Sequence, residues 1–319
     1  MSTWGRLMRG ETDIDFVGLR RRWLTISAVL VVTSLIALAL FRLNLGIEFV
    51  GGLVMQAPNH AGAGVAEVRG AMEGVGITES TVQLLEDGEE VRVTTPEIAP
   101  DTQDRAVEAL ASVTSAPRAE ISIESVGPSF GALVARRALL ALGVFLAAVI
   151  LFISWRLELK MALAGIAALV HDLIITVGVY ALTGFPVTPA TVVAVLVVLG
   201  YSLYDTVVVF DKVEELVGLE EEKTYTEIVN QGMNSVLARS LATSLTSLLP
   251  IGSILFVGSF LLGAATLRDF ALALFVGIAA GTYSSILVAS PLLAVWKEKE
   301  PYWIEREEWV QRRIKAGRR

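Results

Sequence analysis

Six apolar runs, each long enough to cross a bilayer, constrain this chain more than anything else in it. They cover roughly Trp23–Phe41, Leu133–Ile153, Met161–Leu182, Val187–Phe210, Val236–Phe256 and Phe270–Trp296. A hydrocarbon core about 30 Å thick needs about 20 residues at ~1.5 Å each. Inside it every backbone polar group must find an internal partner, so runs of this length are predicted to be helices. The expected fold class is an all-α six-helix transmembrane bundle with one aqueous domain. Composition agrees, with 54% hydrophobic residues, 18% charged residues and a mean hydropathy of +0.62.

A net charge of −7 without a basic stripe argues against nucleic acid as a partner. There are no cysteines, which excludes disulfides, thiolate metal sites and cysteine nucleophiles. No cofactor, metal site or enzymatic centre is expected. The first apolar run follows Arg20-Arg21-Arg22 and has span length, with no small-residue cleavage site after it. It is expected to be an uncleaved anchor rather than a secretory or twin-arginine signal.

Lysine and arginine in short flanks set orientation. They crowd residues 1–22, recur at Arg156 and Lys160, and fill residues 297–319. The connection Thr183–Pro186 has none, and the last outer loop has only Arg268. Both tails are therefore predicted to be cytoplasmic, in a multi-pass protein of the cell membrane. Arg136 and Arg137 depart from this pattern beside a long translocated loop, where the rule weakens. The C-terminal tail, with Trp303, Ile304 and Trp309 among charges, reads equally as an interfacial amphipathic helix or a solvated tail.

Residues 42–132 form the expected extracytoplasmic domain, between span one (23–41) and spans two to six (133–296). Gly46–Met55 reads as a strand and Val65–Met72 as a helix. Thr81–Leu85 and Glu90–Thr94 read as a hairpin around Asp87-Gly88. Thr102–Val113 reads as a second helix capped by Asp101, and Ile121–Val126 as the last strand. The order β-α-β-β-α-β predicts a ferredoxin-like α+β unit. Its lone histidine, His60, reads as a solvated loop residue.

Chemistry is predicted where ionisable residues enter the spans: His171-Asp172 in the third, Asp205 in the fourth and Arg239 in the fifth. An intramembrane charge is a functional-site hypothesis by default. Asp205 and Arg239 each fall within ~10 Å of the cytoplasmic boundary, so they are expected to face each other, while His171 and Asp172 sit nearer the midplane. Tyr201 and Ser202 precede Asp205 by four and three residues and are expected on its face. Ser235, Arg239, Thr243, Thr246, Pro250 and Ser253 follow at steps of four or three, drawing one polar stripe down the fifth span. Gly165, Ala168, Asp172 and Thr176 do the same on the third. The stripes are expected to face other helices or water. Back-bonding to the helix's own carbonyls accounts for single hydroxyls but not for Arg239. Pro250 with Gly252 can interrupt the fifth helix. On the sixth, Ala273, Gly277, Gly281, Ser285 and Ala289 form a small-residue packing stripe.

A static Asp205–Arg239 bridge is the plain alternative to a proton switch. Inserting each charge costs about 2.5–3.5 kcal/mol, so a fixed pair is a poor source of stability beside two leucines. A nearby opposite charge moves a carboxylate pKa by about 1–3 units, or roughly 1.4–4 kcal/mol. One charge crossing 100 mV releases ~2.3 kcal/mol. The magnitudes match, which favours the switch.

Several motifs in order resemble those of the SecF family of protein-export membrane proteins. Gly46-Ile47-Glu48-Phe49-Val50-Gly51-Gly52 resembles the stretch after the first span, and Val126-Gly127-Pro128-Ser129-Phe130-Gly131 the one before the second. His171-Asp172, the segment from Gly200 to Asp211, and Asn230-Gln231 through Arg239-Ser240-Leu241-Ala242-Thr243-Ser244 resemble its third, fourth and fifth spans. The resemblance implies a non-enzymatic subunit that works with SecD beside the SecYEG channel. There the proton-motive force helps to draw preproteins across the cytoplasmic membrane. It also implies half of a bundle like that of the resistance–nodulation–division (RND) exporters, with SecD supplying the other half. In the family, an acid matching Asp205 and an arginine matching Arg239 are tied to proton conduction, and a further acid lies in the SecD half. His171, Asp172, Tyr201, Ser202, Thr243 and Thr246 are then relay or packing supports. Tyr204 departs from the family's usual asparagine before the acid.

Three rival readings make different demands. An intramembrane aspartyl protease would use Asp172 and Asp205 as a shared-proton pair, but its Gly-x-Gly-Asp pattern is absent. A small-molecule exporter half needs a larger outer domain. A structural scaffold needs no ion flux.

Overall fold

The structure is a computed structural model and describes residues 12–85, 88–258 and 265–317. Six helices are long and apolar enough to span a membrane: Arg20–Phe41, Pro128–Arg156, Leu159–Thr183, Pro189–Leu219, Tyr225–Val257 and Leu267–Lys297. The first four are α1, α5, α6 and α7. The fifth comprises α8 (Tyr225–Ser253) and a π turn at Ile254–Gly258, and the sixth comprises α9 (Ala265–Ser284), a π turn at Ser285–Ala289 and α10 (Ser290–Lys297). Each π turn follows or precedes a proline, Pro250 and Pro291, whose ring removes one helical hydrogen bond. Pro250 widens the fifth helix and does not break it.

The outer domain lies between α1 and α5. Its elements are α2 (Ile47–Val50), β1 (Gly52–Pro58), α3 (Val65–Gly74), β2 (Thr81–Leu85), β3 (Glu90–Thr95), α4 (Pro100–Thr114) and β4 (Ser122–Val126). All pairs are antiparallel in the order β2-β3-β1-β4, the ferredoxin-like arrangement. Alternation buries Leu53, Met55, Ala57, Val91 and Val93 against Val68, Met72, Val107 and Leu110 of the helices. The opposite face carries Gln56, Gln83, Arg92 and Glu124.

Two local expectations change. Residues 47–50 form a helical turn, so β1 starts at Gly52 and not at Gly46. Gly51 and Gly52 have φ of +79° and +133°, conformations β-carbons disfavour, and they swing the chain from that turn into the strand. Asp101 does not cap α4; the cap is Ala99, with Pro100 in the first turn. The Glu90–Leu85 hairpin pairing is present, while Asp87 lies outside the described residues. His60 is exposed and lies 3.6 Å from Glu120.

On the other side of the bundle, residues 12–19 return to α8: Asn230 Oδ1 accepts from Val17 N at 2.9 Å and Asn234 Oδ1 from Ile14 N at 3.0 Å. The tail forms α11 (Pro301–Gly317), docked through Trp303 against Tyr225 with ring centroids 4.6 Å apart. Neither an interfacial helix nor a solvated tail describes this docking: Trp303 and Val310 are buried against the chain while Ile304 and Trp309 stay exposed.

Candidate functional site

The polar core of the bundle is built where α6, α7, α8 and α9 meet. Asp172 is 0% exposed and its carboxylate is fully surrounded. His171 Nδ1 lies 3.0 Å from Oδ1, and Ser202 and Ser284 donate to Oδ2 at 2.6 and 2.8 Å. His171 stacks on Tyr283, and its Nε2 is enclosed without a hydrogen-bond partner among the described residues. Beside this cluster, Thr206 and Ser285 hydroxyls meet at 2.9 Å. Asp205, 6% exposed, accepts from Ser240 Oγ at 2.6 Å through Oδ1 and has Ser285 beside its carboxylate, while Oδ2 is buried with no hydrogen bond among the described residues.

Helix geometry explains why hydroxyls converge here. Ser202, Asp205, Thr206 and Val209 share the inner face of α7, and Ser240 and Ser244 that of α8. The small residues of the sixth span are all buried and let α9 approach closely. A β-carbon on Gly281 would lie 2.8 Å from Ser202 Cβ, and one on Gly277 2.4 Å from Val198 Cγ1. The packing role expected of that stripe is what these contacts show.

The predicted facing of Asp205 and Arg239 is not observed. Ser240, the next residue, takes Asp205, and Arg239 is exposed. Adjacent helical positions differ by about 100°, so both cannot point at one partner. Arg239 instead lines a cleft with Asp211, Lys212, Glu215 and Ser235 toward the end of α7 that leads into the α7–α8 connection. Ser202 likewise serves Asp172 and not Asp205, and Tyr201 keeps its hydroxyl enclosed without a partner among the described residues. Nor do the two acids share a hydrogen bond; each is held by serines, which leaves no shared-proton dyad of the protease kind.

The polar stripe of α8 is also turned outward: Ser235, Arg239, Thr243, Thr246, Pro250 and Ser253 are exposed in this chain alone. Its hydroxyls bond their own helix, Thr243 to the Arg239 carbonyl at 3.0 Å and Thr246 to that of Ala242 at 2.9 Å. The third-span stripe, by contrast, is buried. Tyr204 is 63% exposed and points away from the Asp205 carboxylate. Phe49, Gly51 and Gly52 are distant from the acids. They form the joint between the outer domain and α5, where a β-carbon on Gly51 would lie 2.7 Å from Pro128 Cα. Sequence reasoning missed Ser240, Ser284 and Ser285 as partners of this core; serine is too common in membrane helices to signal such a role.

A family model described as "Protein export membrane protein SecD/SecF, C-terminal" matches residues 106–299. The chain belongs to the SecD/SecF protein-export family. Its similarity to relatives named protein translocase subunit SecF extends over nearly its whole length. It is 43% identical to the one from Streptomyces coelicolor over 93% of this chain and 80% of that one. With the SecF of Desulfurispirillum indicum it shares 35% identity, covering 92% of this chain and 93% of the relative. Among solved structures it is similar to SecDF, a translocon-associated membrane protein from Thermus thermophilus, with a TM-score of 0.82 and 32% identity. That match covers 91% of this chain but only 39% of the SecDF chain.

Proposed function

We propose that this chain is an accessory subunit of the Sec preprotein translocase. It works with SecD to turn the proton-motive force into export of preproteins through SecYEG, with both termini in the cytoplasm. Asp205 is the proton-carrying group. The observation that carries the reading is a buried carboxylate approached by Ser240 and Ser285, with one oxygen held by Ser240 at 2.6 Å and Oδ2 without a hydrogen-bond partner among the described residues, ready for a proton. A purely structural acid would have both oxygens satisfied.

The outward stripe of α8 is the face that receives the second half. Arg239 near the membrane boundary can reach water, but the exposed stripe runs on from it through Thr243 and Thr246 toward mid-depth, where a polar helix face calls for a polar cover. A SecD half bundle supplies one, and Arg239 then acts across that interface. The relay is shared between two chains, and Tyr204 is part of the same open surface.

Asp205→Asn is the test. In proteoliposomes carrying SecYEG and this chain with SecD, it abolishes proton-gradient-stimulated export and leaves SecD association intact. Undiminished stimulation overturns the relay. Lost association instead makes Asp205 a structural anchor.

A further inference from the structure

The polar face of the sheet does not meet solvent freely; it roofs the outer end of the bundle. Gln83 Nε2 donates to the Gly184 carbonyl at 3.1 Å, and Asn44 Nδ2 donates to the same carbonyl at 3.0 Å. Gly46 N donates to the Val187 carbonyl at 2.9 Å, tying the domain to the α6–α7 connection. Between roof and bundle lies a chamber of about 350 Å³. Its charged lining comes from four elements: Glu48 of α2, Arg92 of β3, Glu124 of β4 and Asp269 of α9.

Three of these groups have enclosed atoms without a hydrogen-bond partner among the described residues: Glu48 Oε2, Arg92 Nε and Asp269 Oδ1. Asp269 is 3% exposed, as deeply buried as the acids of the core, yet its carboxylate lines the chamber. Arg92 reaches Gln56 Oε1 only at 3.4 Å. Glu124 and Ser122, on the sheet's edge strand, are exposed and open the chamber to water. Buried polar atoms without partners in a roomy polar cavity are where water and small cations collect. Three carboxylates against Arg92 and the neighbouring Arg268 leave a net negative charge, which favours a cation.

The floor of the chamber connects to the core. Tyr180 donates its hydroxyl to the Asp269 carbonyl, and Tyr180, Thr176 and Asp172 recur every four residues on one face of α6. Tyr180, Thr176 and Thr191 also border a separate cavity of about 120 Å³ whose remaining walls are leucines and valines, so Tyr180 and not an open water path stands between Asp269 and Asp172. The rise from Asp172 to Tyr180 is ~12 Å.

We propose that this chamber is the outer proton intake of the chain, in which Asp269 takes a proton from external water and Tyr180 closes the way toward Asp172. A hydronium gives its proton to Asp269 Oδ1 and leaves as water, and the carboxylate becomes the acid. Glu48, Glu124, Arg92 and the neighbouring Arg268 set the field it feels, and Tyr180 faces it from α6. This rests on the proton-driven reading above, and two measurements separate the failures.

The first is proton uptake by proteoliposomes holding this chain with SecD. Asp269→Asn lowers uptake by about tenfold or more, whereas Asp269→Glu retains it. Wild-type uptake in Asp269→Asn, beside abolished uptake in Asp205→Asn, overturns the intake while sparing the relay; loss in both Asp269 variants at normal accumulation also overturns it. The second measurement uses the absence of native cysteine. Thr94→Cys in the whole chain is labelled from outside by impermeant thiol reagents, faster by the cationic one. Adding Asp269→Asn lowers the cationic-to-anionic rate ratio about threefold or more. An unchanged ratio overturns the chamber as a cation-attracting site, whatever uptake shows.

Discussion

Gly281→Ala tests whether the close approach of α7 and α9 holds the Asp172 carboxylate in place. The added carbon would sit 2.8 Å from Ser202 Cβ and 3.1 Å from Ser202 Oγ. Unstrained carbons rest about 3.5–4.0 Å apart, so the helices must part by nearly an ångström or Ser202 must rotate. Either movement breaks the 2.6 Å bond from Ser202 to Asp172. Overpacking costs about 1–3 kcal/mol and loss of a hydrogen bond to a charged group about 1.5–3 kcal/mol, which together make about 2.5–6 kcal/mol. At about 2 °C per kcal/mol for a chain this long, thermal unfolding in detergent falls by roughly 5–12 °C. Gly277→Ala is the control. Its added carbon meets Val198 and no hydroxyl, so only the packing part applies and the fall is about 2–6 °C. Adding Ser202→Gly to Gly281→Ala removes the obstructing carbon and restores the packing part, less about 1 kcal/mol for a helical glycine. Gly281→Ala melting with the wild type would refute this account of the interface.

Arg239→Gln leaves the melting of the isolated chain within about 0.5 kcal/mol of wild type, because the side chain is exposed, but weakens association with SecD in a co-purification assay. Gly51→Ala places a β-carbon against Pro128 at a φ of +79°, and strain of about 1–3 kcal/mol before any clash raises proteolytic cleavage between the outer domain and α5. Outside the membrane, Glu300 is acidified: burial acts to raise its pKa, but Lys160 and Lys297 together outweigh it and hold it below the ordinary 4.5. Its ion pair with Lys160, at 2.9 Å, therefore stabilises the α6–α10 contact fully above that value and is lost as pH falls through the lowered one. Lys160→Ala accordingly melts below wild type at neutral pH, and the difference closes as pH falls below 4.5 through the lowered pKa.

The two acids show where reading the chain stops. Their burial was legible, since Asp172 and Asp205 interrupt runs that only a helix in lipid can accommodate. The ferredoxin-like order was legible too, because strand alternation and turn residues are local signals. Contact between helices is not local. The estimate that placed Arg239 opposite Asp205 used depth alone, and depth cannot distinguish residue 239 from residue 240. A rotation of one residue exchanged a guanidinium for the Ser240 hydroxyl.

Sequence by itself determined the number of spans, the place of the outer domain and the membrane acids, because hydropathy and period are properties of each segment alone. Tertiary structure decided which hydroxyls serve which carboxylate, that the α8 stripe is an open face, and that the sheet encloses a charged chamber over Asp269. Those outcomes depend on how far Gly277 and Gly281 let α9 sink against α7 and on which way each helix is turned, and no single segment carries that information.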